Sequence, residues 1–314
     1  MRVLIVSGFL GAGKTTFIKE MIRRVPRDFV VMENEYGEVG IDRALLDHQS
    51  GIDIWELTEG CVCCTMKSDF ASSILTIANT LDPEYLIVEP TGVGSLSNVI
   101  RNIQQIAYER ISLLSPITIL DASCYAPYMR DYREIFEDQL AAAGTIVISK
   151  GAFADGRDLE EIRRLNPNAR ILTGHYTGMD PEWWTQLLET DLDGNRIPGK
   201  TVEETRLESL GLQGVSIAGA NHLVDFLERL IRGEFGRICR AKGFVQIPGG
   251  WMRFDVVDQR YSICGFGDTE EGKCVFIGDW IDRKKLRRLL LPNSQNKMKI
   301  RKRKAAKGGI ESCT

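Results

Sequence analysis

No apolar run in these 314 residues approaches the ~20 that a membrane-spanning helix needs, so the chain reads as soluble and cytoplasmic, with no membrane among its partners. Cysteine is too sparse for a disulfide scaffold: there are eight, and the adjacent Cys63 and Cys64 cannot easily bridge each other. A reducing compartment follows, where thiols serve as metal ligands, catalytic groups or buried filler. Neither sign of charge dominates, with 40 Lys and Arg against 43 Asp and Glu and a net charge of −3. The exception is residues 297–314, where seven Lys and Arg against Glu311 give +6 and leave −9 for the rest. Such a run reads as a disordered, solvated tail, the alternative being a dock for nucleic acid or an acidic partner. Nucleic acid is not among the expected partners. The opening "MRVLIVSGFL" superficially resembles a secretory signal, but it runs directly into "GAGKTT", where a nucleotide-binding loop explains the same residues better.

What is present is an alternation. The Val- and Ile-rich runs "RVLIVSG", "DFVVMENE", "DIWELTE", "YLIVEPTG", "PITILDAS" and "GTIVISK" read as buried strands. Helix-length segments begin near Thr15, Met66, Leu96, Tyr132 and Arg157. This predicts an α/β fold with a mostly parallel sheet whose ligands sit at the carboxyl ends of the strands. Residues 191–210 turn polar and read as a linker between a domain at 1–190 and a smaller α+β domain at 211–295, with the basic tail at 296–314. In the smaller domain "LQGVSIAG" reads as a strand, "NHLVDFLERLIRG" as a helix, the segment around "PGG" as a meander of strands, and "DRKKLRRLL" as a closing helix.

The segment "GFLGAGKT", Gly8 to Thr15, fits G-x-x-x-x-G-K-[ST], the phosphate loop of a P-loop NTPase. Its glycines let backbone N–H groups wrap round phosphate oxygens, Lys14 reaches the β and γ phosphates, and Thr15 ligates Mg²⁺. The helix that follows points its positive end at the same anion. "YLIVEPTG" ends in Glu89, a carboxylate beside the loop that can hold Mg²⁺ through water, while Gly92 can offer its N–H to the γ-phosphate. The bland alternative for Glu89 is a strand-to-turn junction. Between them "ENEYGEVG" carries Glu33, Glu35 and Glu38, read either as a solvated acidic loop or as a switch in which Glu35 senses Mg²⁺ or positions the attacking water.

Taken in this order, "GFLGAGKTT", "NEYGEVGID", "ELTEGCVCC" and "EPTG" resemble the CobW-like branch of the P-loop GTPases, which also includes the nickel-insertion GTPases UreG and HypB. The resemblance covers about the first 190 residues; "VFIGDWIDRKKL" resembles that branch's C-terminal domain more faintly. It implies GTP hydrolysis coupled to the handling of Zn²⁺, Co²⁺ or another transition metal. The family's phosphate loop maps onto Gly8 to Thr16 (Gly8, Gly11, Ala12, Gly13, Lys14, Thr15, Thr16), its Mg²⁺-side acid onto Glu89, and its C-x-C-C motif onto Cys61, Cys63 and Cys64. Three thiolates satisfy most of a tetrahedral Zn²⁺ shell and leave a position open, which suits a metal that must leave again. Buried thiols and redox chemistry are the alternatives. For Cys124, Cys239, Cys264 and Cys274, in strand-like surroundings, burial as small hydrophobes is the expectation.

Two departures from the family pattern matter. Many relatives carry a His-rich stretch that stores metal, whereas this chain has His48, His175 and His222 only, widely scattered, which points to one compact site. The guanine-reading N-K-x-D is replaced after "GTIVIS" by "SKGA", Ser149 to Ala152. Lys150 can still lie over a purine face, but Ala152 stands where the guanine-binding Asp should be, and Asp155 comes three residues late.

The sequence therefore reads as a GTP-hydrolysing metallochaperone using Lys14, Glu35 and Glu89, Mg²⁺, and a Zn²⁺ or Co²⁺ at the three cysteines. Its expected partners are a client metalloprotein or cofactor-assembly protein and, with nucleotide, a second copy of itself. The rivals are a P-loop phosphotransferase with structural cysteines and a nucleotide-gated binding protein with negligible hydrolysis. Because Ala152 cannot accept from guanine N1 and N2, GTP should be preferred over ATP less than the family pattern would give. Unpaired buried donors cost about 1–3 kcal/mol, roughly five- to more than hundredfold in affinity. Competition binding with GTP and ATP checks this; a preference above about a thousandfold, some 4 kcal/mol, would mean that Asp155 or another group accepts instead.

Overall fold

A computed structural model describes residues 1–33, 53–56, 67–107, 110–151, 156–192, 207–257, 259–267 and 271–291, with the backbone alone for 53–56 and 67–69. The described residues fall into two compact units, one up to residue 192 and one from 207 to 291.

The first unit is a parallel sheet in the order β3–β2–β4–β1–β6–β7–β8. Its strands are β1 (Arg2–Ser7), β2 (Phe29–Glu33), β3 (Asp53–Glu56), β4 (Tyr85–Glu89), β6 (Ile117–Asp121), β7 (Thr145–Lys150) and β8 (Arg170–Leu172), with the two-residue β5 (Ser112–Leu113) also pairing with β1. Parallel neighbours need crossovers, and among the described residues these carry α1 (Lys14–Arg24), α2 (Lys67–Thr80), α3 (Leu96–Gln104), α4 (Tyr125–Asp131), α5 (Arg133–Ala141) and α6 (Gly156–Leu165), while α7 (Pro181–Glu189) follows the last strand and packs Trp184 on Phe17 of α1. A sheet covered on both faces needs strands that are apolar throughout rather than alternating. In β1, Val3 to Val6 are all fully buried: Leu4 and Val6 pack with Phe17 and Trp184, and Val3 and Ile5 with Phe70, Ile74 and Ile100. Every strand expected here is present, and each expected helix start lies within one residue of the observed one. The short β5, β8, α4 and α7 were not anticipated, although α7 carries a start signal: Asp180 accepts from the Trp183 N–H at 2.7 Å and Pro181 opens the helix.

On α1 the Arg23 and Arg24 guanidiniums bond Glu20 and pull its carboxyl down to about 2. A depressed carboxyl stabilises the fold above its unfolded value and loses that contribution as pH falls through the depressed one. That contribution is complete above about 4.5 and is lost as pH falls towards about 2, while Arg24 separately donates to the Thr177 and Met179 carbonyls at 2.7 and 3.5 Å.

The second unit is an antiparallel sheet in the order β12–β11–β10–β13–β9. It comprises β9 (Glu208–Gln213), β10 (Arg237–Ile247), β11 (Gly250–Val257), β12 (Arg260–Phe266) and β13 (Lys273–Asp279), with α8 (Ala220–Ile231) and α9 (Arg283–Leu290) against one face. The strand expected over "LQGVSIAG" lies earlier, at Glu208–Gln213, because Gly214 turns the chain at φ 70°. Leu210 and Leu212 are the inward pair of that strand, and it begins inside the polar stretch read as a linker. Cys124, Cys239 and Cys274 are buried as expected, and burial pushes the Cys274 thiol up. Cys264 is exposed, a correction: it lies on β12 at the end of the strand order, where successive residues alternate towards solvent.

Phe226 of α8 sits between Phe235, Phe254 and Phe276, with ring centroids 5.6 to 6.3 Å away. Phe226→Ala should cost about 3–5 kcal/mol of the second unit's stability, read as a lowered urea midpoint; a change below about 1 kcal/mol would contradict this packing.

Candidate functional site

The site begins where β1 runs out. Its chain leaves the sheet at Gly8 with φ 142°, so close to β6 that a Cβ there would lie 2.3 Å from the Ile119 carbonyl oxygen. No other residue fits. The loop closes with Ala12 N–H donating to the Phe9 carbonyl at 3.2 Å, and Gly13, left-handed at φ 99°, hands the chain to α1. Phe9, one of the unspecified positions of the motif, is buried against Tyr128 and Tyr132 with centroids 4.2 and 5.1 Å away, pinning the loop to α4.

A loop whose amides face an anion must turn its carbonyls towards the protein, and buried carbonyls need donors. Each one from Gly8 to Gly13 has one. Lys14 Nζ donates to Gly8 at 3.0 Å and to Phe9 at 3.4 Å, Tyr128 Oη to Leu10 at 3.4 Å, Lys150 Nζ to Gly11 at 2.6 Å, Ser149 Oγ to Ala12, and the Phe17 N–H to Gly13 at 3.0 Å. The buried Lys14 ammonium thus sits within the loop, ahead of the first-turn amides of α1, which have no helical carbonyl behind them. Thr16 is exposed on that first turn.

Thr15 Oγ1 donates to both carboxylate oxygens of Glu89, at 3.2 and 3.1 Å. A hydroxyl beside a half-buried carboxylate is a donor set of hard oxygens, the chemistry Mg²⁺ prefers, with water and phosphate completing its shell. Gly92 presses on the loop: a Cβ there would lie 2.7 Å from the Leu10 amide nitrogen. Its carbonyl, with that of Gly94, is held by the buried Gln139 Nε2 at 3.1 and 2.9 Å. Glu33, Glu56 and Glu89 are level with one another across β3, β2 and β4.

The structure therefore brings together Gly8, Gly11, Ala12, Gly13, Lys14, Thr15, Glu89, Gly92 and Lys150. Glu35, Glu38, Ala152, Asp155 and the cysteines Cys61, Cys63 and Cys64 lie outside the described residues. Among the described residues no group of three or more His, Cys, Asp or Glu is arranged to hold a metal ion, and no helix is long and apolar enough to cross a membrane. Sequence reasoning missed Tyr128, Gln139 and Asp121, none of which carries a motif.

The family model for the CobW/HypB/UreG nucleotide-binding domain matches residues 2–173, more than half of the chain. The protein belongs to this family. It is accordingly a P-loop nucleoside triphosphatase of the CobW type, and residues 219–292 match the cobalamin synthesis protein cobW C-terminal domain. Among similar proteins, the zinc chaperone CobW of a Sinorhizobium species is 26% identical over 87% of this chain and 91% of its own. The zinc chaperone YjiA of Escherichia coli is 28% identical over 91% and 96%. The zinc chaperone YeiR of Escherichia coli is 37% identical, over 48% of this chain and 46% of its own length. Among solved structures, Zn(II)-bound YjiA GTPase from E. coli aligns at a TM-score of 0.46 with 21% identity, covering 92% of this chain and 97% of that one. The hydrogenase maturation factor HypB from Archaeoglobus fulgidus aligns at 0.45 with 20% identity, covering 60% and 89%.

Lys14→Ala should reduce nucleotide hydrolysis by on the order of a hundredfold or more, since it removes the loop's cation where charge develops. It should also lower stability by about 1–3 kcal/mol, because the Gly8 carbonyl loses its donor while that of Phe9 keeps only the Ala12 N–H. Steady-state turnover and a urea melt check both, and wild-type turnover in the variant would put the site elsewhere.

Proposed function

We propose that the protein is a GTP-hydrolysing metallochaperone that loads a transition metal of the zinc or cobalt class at Cys61, Cys63 and Cys64 and passes it to a client metalloprotein or cofactor-assembly pathway. The observation that carries this reading is the Thr15–Glu89 pair beside Lys14, in a sheet whose neighbouring strand ends, Glu33 and Glu56, are level with Glu89. The cysteines follow Glu56 within eight residues, so nucleotide and metal chemistry depart from the same edge of one sheet. Relatives named as zinc chaperones support zinc as the first metal to test.

In this mechanism the phosphates lie along the loop amides and the α1 N-terminus, with Lys14 meeting the β and γ phosphates. Mg²⁺ supplies neutralisation of the charge that develops on the transferred phosphoryl group. Thr15 and Glu89 hold it, and Glu35 positions the attacking water. Phosphoryl transfer needs little covalent chemistry from the protein, so rigid placement of these groups is the catalysis. Gly92, packed against Leu10, carries the change at the γ-phosphate towards the strand ends from which the cysteine segment departs.

Each thiol must be deprotonated to bind, so metal uptake should release protons and weaken as pH falls. One Zn²⁺ or Co²⁺ per chain should bind tightly with a non-hydrolysable GTP analogue and more weakly with GDP, by about 5- to 150-fold for a typical coupling. Cys63→Ala should abolish the tight site. Isothermal titration of each metal into the two nucleotide forms checks this: equal affinities would end the gating proposal, and unchanged binding in Cys63→Ala would remove that residue from the site.

A further inference from the structure

The pairing of β6 with β7 is interrupted at one residue. Leu120 is level with Ile148, but Asp121 is level with Lys150, so Ser149 is the extra residue of a β-bulge. Bulges re-aim side chains beside active sites. Here Ser149 is buried, and its hydroxyl lies against the Ala12 carbonyl oxygen of the phosphate loop and, at 3.3 Å, that of Leu120. The next residue, Lys150, reaches the preceding loop carbonyl, Gly11, at 2.6 Å. Its ammonium is 3.8 Å from Asp121 Oδ2, while Oδ1 of that buried carboxylate accepts from the Ser123 N–H at 3.0 Å and from the Ser123 hydroxyl. Gly151, at φ 66°, then turns the chain away against Ser123. Two consecutive residues of one strand thus hold two consecutive carbonyls of the loop.

We propose that Ser149 is a positioning residue for the phosphate loop, and that Asp121 is a positioning residue for Lys150. Together they make β7 set nucleotide affinity through the triphosphate end of the ligand rather than through the base. The inference rests on the loop being the nucleotide site. It also explains how the quartet "SKGA" retains a function with Ala152 at its end. Its first two residues anchor the loop, a task that needs a hydroxyl and an ammonium and is indifferent to whether the bound purine is guanine or adenine. Without Ser149 the Ala12 carbonyl turns to whatever donor is available, and the Gly13 and Lys14 amides next to it lose their alignment on the anion.

The test uses the full-length protein with GDP, ADP and base-free pyrophosphate as probes. Ser149→Ala should weaken all three by the same factor, about five- to thirtyfold for one hydrogen bond lost to a buried carbonyl. KM for nucleotide should rise and kcat should fall with it, since the same amides align on the transferred phosphoryl group, and Ser149→Thr, which keeps the hydroxyl, should restore both the affinities and kcat. Asp121→Asn, which still accepts from Ser123 but removes the charge facing Lys150, should weaken all three probes by a smaller common factor, about two- to fivefold. A folded Ser149→Ala protein with unchanged affinities, or one that loses GDP binding while keeping pyrophosphate binding, would overturn the proposal. Should Ser149→Ala fail to fold, the Ser149→Thr and Asp121→Asn measurements still decide it: weakened GDP with unchanged pyrophosphate in either one assigns the strand to the base. Lys14→Ala is the separate control, because retained pyrophosphate affinity there would remove the loop as the anion site altogether.

Discussion

A peptide loop can give all its amides to an anion only if all its carbonyls are satisfied from behind. That constraint organises the first unit. Between Gly8 and Gly13 the donors come from the loop's own lysine, from α1, from α4 through Tyr128 and from β7 through Ser149 and Lys150. A buried carbonyl left without a donor costs about 1–3 kcal/mol, so several together would exceed what a typical loop's packing supplies. The aromatic anchor at Phe9 and the glycine at position 8 belong to the same arrangement, one fixing the loop sideways and the other letting it pass over β6. Pre-organisation of this kind is what phosphoryl-transfer chemistry asks of a protein, since the reorganisation is completed before substrate arrives.

The parallel sheet explains why the remaining groups converge. Strands running the same way present their carboxyl ends along one edge, so Ser7, Glu33, Glu89, Asp121 and Lys150 are gathered although they are far apart in sequence. Thr15 meets Glu89 across 74 residues for this reason. The edge that holds the phosphate loop continues through β2 to β3, and the segment with the three cysteines leaves from there. Under the proposed function, coupling of metal to nucleotide needs only that the γ-phosphate change the chain path at this edge, without a signal crossing the sheet.

The parts of this site that the sequence announces are those where backbone geometry or metal chemistry allows few residue types. Gly8, Gly13, Lys14, Thr15 and Glu89 are of that sort. Ser149, Tyr128, Gln139 and Asp121 serve carbonyls or other side chains, and many donors could do the same work, so no spacing marks them. Long apolar strands were legible because burial on both faces leaves no polar interruption, as in Val3 to Val6. β9 was not, because "ESLGLQ" buries Leu210 and Leu212 on one face and keeps the rest polar, which looks like a connection when read as composition. Helix α4 was hidden by Pro127 in its first turn and by its length of seven residues; α7 had its Asp180–Pro181 start signal, and reading it would have found the helix.

The central claim is that nucleotide state and metal affinity are two sides of one equilibrium. Linkage is reciprocal, so a metal that binds the GTP form more tightly must itself tighten GTP. The most direct measurement is the affinity of a non-hydrolysable GTP analogue for the metal-free and the Zn²⁺-loaded protein, with GDP as the companion ligand. The account predicts that Zn²⁺ tightens the analogue relative to GDP, by the factor with which the analogue tightens Zn²⁺. Identical nucleotide affinities with and without Zn²⁺ would contradict it.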